Sequence, residues 1–116
     1  MDEIKKHWFD IIKEYFPIGA DLFLNPTKDD FCLDVGWKLK NDQNRPNKKS
    51  RKLRLIIPEE TIEDYREAAD GSKRSYDQKL ILFMKKTMNN FEPDHNTPYG
   101  QPRPVETVLV TFGITH

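Results

Sequence analysis

Lys38, Lys40, Arg45, Lys48, Lys49, Arg51, Lys52 and Arg54 all lie between positions 38 and 54, against one acid, Asp42. Eight cations less one anion give this segment +7. The whole chain balances 19 cations with 19 anions, so the remainder sums to −7. A neutral total therefore hides a dipolar molecule, and local fields steer partners more than totals do. Ammonium and guanidinium groups gathered in this way engage phosphates, with positioning contacts and little base readout. The expected ligand of these eight residues is a nucleic-acid backbone or another polyanion. The plainer reading is a set of solvated strand ends that keeps a hairpin from aggregating.

Carboxylates form a second group. Asp21, Asp29, Asp30 and Asp34 sit on or beside apolar runs, and a turn rich in Asp explains most of them. The acidic run from Glu59 to Asp70 follows the basic segment and is a rival, internal partner for it. His7, His95 and His116 are scattered, and no pair has zinc-ligand spacing. Asp94 and His95 could pair as acid and imidazole, but no nucleophile accompanies them. Cys32 is the only cysteine, so no internal disulfide forms and a reducing, cytoplasmic setting is expected. The chain shows no glycine-rich phosphate loop, nucleophile elbow or redox cysteine pair. No cofactor and no metal are expected. Neither a signal peptide nor an apolar run near the length of a membrane span is visible, so no membrane partner is expected.

These groups must be held by a framework, and the stretch Phe31–Ile57 supplies it. In FCLDVGWKL, Phe31, Leu33, Val35, Trp37 and Leu39 alternate with Cys32, Asp34, Gly36 and Lys38; in KLRLII, Leu53, Leu55 and Ile57 alternate with Lys52, Arg54 and Ile56. A period of two marks strands with one buried face. The pair reads as an antiparallel hairpin whose basic loop, 41–51, is expected to be mobile. If Leu39 pairs with Leu53, Lys38 faces Arg54 and Lys40 faces Lys52. Such like-charge pairs across a ladder are destabilising, and an anionic ligand would relieve them.

Around the hairpin, residues 2–16 read as an amphipathic helix with Ile4, Trp8, Ile11, Ile12 and Tyr15 on one stripe, stopped by Pro17 and Gly19. ADLFL (20–24) reads as a strand that returns through the NPTKDD turn. Pro58 opens a thin, peripheral helix that Gly71 is expected to close. Ser75 and Gln78 have the spacing of a capping box for a last helix through Phe91. Residues 92–104 carry four prolines and read as an extended connector, with a short polyproline II segment at PYGQPRP as a lesser alternative. VETVLVTFGI is a strand apolar on both faces, so it is expected at the centre of the sheet or under a second subunit.

The resulting order is α-β-β-β-α-α-β in one domain, 1–116. Stripes on the helices and alternation on the strands imply a two-layer α+β fold, a mainly antiparallel sheet of three or four strands with helices on one face. The α-β-β-β-α-β order within it resembles the core of the PD-(D/E)xK nucleases, which implies a metal held by acids at strand ends. That resemblance is topological: KLRLII carries no acid, and the triplets Glu3-Ile4-Lys5 and Asp77-Gln78-Lys79 fall on helices. Three functions follow in order. The first is a non-enzymatic polyanion binder acting through the basic hairpin. The second is a homodimer or interaction module using the apolar C-terminal strand. The third is a metal-dependent nuclease, which needs an acidic cluster around Asp34.

Overall fold

The computed structural model describes residues 3–39, 50–93 and 105–110. Helix α1 (Glu3–Ile12) runs into a 3-10 turn at Lys13–Tyr15, and strands β1 (Asp21–Leu24), β2 (Phe31–Gly36) and β3 (Lys52–Ile57) follow. Helices α2 (Glu59–Glu67) and α3 (Asp70–Asn90) lead to strand β4 (Val105–Leu109). The sheet has the order β1-β2-β3-β4. The first three strands form an antiparallel meander and β4 joins β3 in parallel. A parallel neighbour requires a crossover, which α2 and α3 provide. The fold is α+β with the expected element order.

Alternation decides which face is buried. Phe31, Leu33 and Val35 on β2 lie opposite Ile57, Leu55 and Leu53 on β3, and all six are buried. They pack with Trp8, Ile12, Ile62, Leu80 and Met84 from the three helices in one core. Each such side chain contributes about 1.5–3 kcal/mol relative to an exposed one. On β2 and β3 the helices therefore cover the odd-numbered side chains and leave the even-numbered face open. Cys32 is on the open side yet buried. Two aromatic groups brace the layers. Trp8 meets Tyr65 edge-on at 4.9 Å, and Trp37 lies 6.0 Å from Phe16 and 5.6 Å from Phe91.

Several boundaries differ from the sequence expectation. Strand β2 ends at Gly36, and Val35, not Leu39, pairs with Leu53. This four-residue slip preserves the buried face but replaces the like-charge pair at Arg54 with Asp34 opposite Arg54. Opposite charges across a ladder stabilise it, so this register wins. Beyond it the Ser50 amide donates to the Trp37 carbonyl at 2.8 Å, and the Trp37 amide donates to Ser50 Oγ at 3.0 Å. The Arg51 amide turns away to the Pro93 carbonyl. Ser50 and Arg51 together thus stand opposite Trp37, a local bulge.

Helix α3 starts at Asp70, so Gly71 lies in its first turn and Ser75 lies inside the helix. The break falls instead at Ala68 and Ala69, both extended. Asp70 at the new N-terminus suits the helix dipole. Among the described residues strand β4 stands at the edge of the sheet and not at its centre. The basic loop residues 40–49, the connector residues 94–104 and the tail 111–116 lie outside the described residues, as do Asp94, His95 and His116.

Candidate functional site

The open face of the sheet carries Asp21 and Phe23 from β1, Asp34 and Gly36 from β2, Lys52, Arg54 and Ile56 from β3, and Val105, Thr107 and Leu109 from β4. No helix among the described elements packs its buried stripe there, since those stripes join the opposite core. Phe23 is 58% exposed, Val105 45% and Leu109 56%. Large apolar side chains left in water on one face mark a surface that another molecule can cover.

At the centre of that face Arg54 grips Asp34 with two hydrogen bonds. Its Nε donates to Oδ1 at 2.7 Å and its Nη2 to Oδ2 at 3.0 Å. The Arg54 hydrogen bonds hold the Asp34 carboxyl below its ordinary range, against burial, which pushes the other way; the charges of Arg54 and Lys52 add to the depression. The same pair holds the guanidinium above its usual value. Neighbouring Gly36 leaves a gap beside it. Asp21, Phe23, Asp34 and Lys52 surround that gap in a depression of about 310 Å³.

The expected cationic surface is divided by this geometry. Lys52 and Arg54 share the open face, and Lys38 is exposed just past β2. Arg51 does not join them, because it stands two residues before Leu53 and so shares the helix-side face of that row. There its guanidinium lies 5.6 Å from the Phe91 ring centre and 3.8 Å from the Glu106 carboxylate, and it donates to the Glu92 carbonyl. The carboxylates that meet Arg54 and Arg51 thus come from β2 and β4. Helix α2, the acidic rival, buries Ile62 and Tyr65 in the core on the other side of the sheet. Lys40, Arg45, Lys48 and Lys49 lie outside the described residues.

The carboxylates do not gather as a metal site. Asp30 accepts from the Glu59 amide at 2.9 Å and caps α2 from outside, Asp29 is exposed, and Asp34 is held by Arg54. Among the described residues no group of three or more His, Cys, Asp or Glu side chains could hold a metal ion.

A second groove, also about 310 Å³, opens between α3 and β4. Phe83, Lys86, Thr87 and Asn90 form its helix wall, and Glu106 and Val108 its strand wall. A third cluster ties the helices together. His7 Nε2 lies 2.9 Å from Asp77 Oδ2, and the Tyr65 hydroxyl donates to the same oxygen at 3.4 Å. Burial, then the Asp77 charge, pushes the Tyr65 phenol up to about 12. This cluster was not visible in the sequence, since 70 residues separate His7 from Asp77. Among the described residues no helix is long and apolar enough to cross a membrane. Comparison with protein families, curated proteins and solved structures gave no match.

The Asp34–Arg54 pair makes a directional prediction. A depressed carboxyl stabilises the fold above the ordinary aspartate value of 3.8, and that contribution is lost as pH falls through the lower folded value. Arg54 is more than a third exposed, so solvent screens the pair and Asp34→Asn costs about 1 kcal/mol at neutral pH. Urea unfolding from pH 7 to pH 2 should show the wild-type advantage shrinking below pH 4. An advantage that persists undiminished at pH 2 would contradict the assignment.

Proposed function

We propose that this domain is a protein-interaction module that self-associates through the C-terminal strand β4 and the open sheet face beside it. The observation that carries the reading is the position of β4. A strand rich in β-branched and apolar residues forms the edge of the sheet, with Val105 and Leu109 half exposed. An edge strand offers unpaired backbone groups to any chain that can align with it, and proteins that do not use such an edge blunt it with charge, proline or a bulge. The residues of β4 carry no proline or bulge, and their one charge, Glu106, turns to the helix side toward Arg51. Sedimentation should give a mass near twice the 13.7 kDa chain mass, and Val105→Lys with Leu109→Lys should return it to that of one chain. A mass of one chain at every concentration would overturn the proposal.

A specific observation also favours polyanion binding as a second reading. Stacking platforms need an aromatic on an exposed face beside cations. Phe23 meets that condition, since it shares a depression with Lys52. Retention on immobilised single-stranded DNA should then fall steeply with salt and weaken in Phe23→Ala with Lys52→Ala. Passage without retention at low salt would remove this reading.

A further inference from the structure

The hydrogen-bonding polarity of β4 specifies how two copies meet. The Val110 amide donates to the Ile56 carbonyl at 2.9 Å. In a parallel ladder, alternate residues direct both backbone groups toward the neighbour. Glu106, Val108 and Val110 therefore turn their amides and carbonyls toward β3, and Val105, Thr107 and Leu109 turn theirs outward. We infer that two copies join β4 to β4 in antiparallel register about a two-fold axis at Thr107, making one continuous eight-stranded sheet. The inference rests on the self-association proposed above and adds the register.

Three observations select this register. First, it places Val105 opposite the partner's Leu109, Thr107 opposite the partner's Thr107, and Leu109 opposite the partner's Val105. All three outward residues then form hydrogen-bonded pairs, and every outward amide and carbonyl is satisfied. A two-fold at residue 106 or 108 leaves one outward residue of each strand unpaired, and a shift by one residue puts side chains on opposite faces. Second, Val105 and Leu109, which are 45% and 56% exposed, become apolar cross-strand neighbours on the open face. Third, charges fit on the helix side. The partner's Glu106 falls opposite Val108, a wall residue of the groove that Lys86 also lines. That groove already holds the chain's own Glu106 beside Lys86, and in this register the two Glu106 side chains never stand opposite each other.

Thr107→Cys tests the register. A hydrogen-bonded antiparallel pair sets Cα atoms about 5.5 Å apart, within the span of a disulfide. Residues two positions out of register exceed that span. Mild oxidation of the full chain should link Thr107→Cys into a covalent dimer about tenfold faster than Glu106→Cys or the wild type, whose one cysteine is buried. Should Thr107→Cys fail to fold, a mixture of Val105→Cys and Leu109→Cys chains serves instead, with linkage expected in the mixture and not in either alone. A dimeric mass with no preference for Thr107 overturns the register and leaves self-association standing. A monomeric mass removes both.

Discussion

The two-residue period of β2 and β3 constrains everything else in this molecule. Burying Phe31, Leu33, Val35, Leu53, Leu55 and Ile57 under three helices commits the alternate residues to the other side of the sheet. That commitment is energetically one-sided, because slipping either strand by one residue would drive a whole row of apolar side chains into water. Polar groups on the open side must then be matched locally. Asp34 and Arg54 are matched in this way, fork to carboxylate, at the middle of the hairpin. Their pairing fixes which of the parity-allowed registers forms, and so how far β2 extends and where the basic loop begins.

Much of this was legible in the chain itself. Alternation in FCLDVGWKL and KLRLII identified the strands and the buried face, and the stripe Trp8, Ile12 identified the face of α1 that packs. Register was not legible from hydrophobicity, because a slip of four residues leaves the apolar rows equally well buried. Charge held the missing signal. Pairing Lys38 with Arg54 sets like charges across the ladder, whereas pairing Asp34 with Arg54 sets opposite ones, and the second is favoured. The start of α3 was misplaced for a comparable reason. Gly71 has the chemistry of a helix stop, but the break at Ala68 and Ala69 leaves Asp70 and Gly71 to open the next helix.

The candidate surfaces show the same division between local and distant information. Eight clustered cations are conspicuous in the sequence, yet Arg51 turns to the helix side and Arg54 is held by an acid twenty positions earlier. Phe23 became conspicuous only once β1 was paired, since its parity against β2 places it opposite Asp34 on the open side. Likewise β4, apolar on both faces, read as a strand either at the centre of the sheet or under a second subunit. Among the described residues it has a neighbour on one side only, and the second apolar face is the exposed one. A strand with that composition at a sheet edge is a liability unless something pairs with it. The self-association proposed above would turn that liability into the molecule's working surface.

Residue-resolved amide exchange in β4, followed from dilute to concentrated protein, tests that idea most directly. Glu106 and Val108 should be protected at every concentration, because their amides face β3. Val105, Thr107 and Leu109 should exchange quickly when dilute and slow together as concentration rises. Equal exchange at all five positions, or outward amides whose rates ignore concentration, would contradict it.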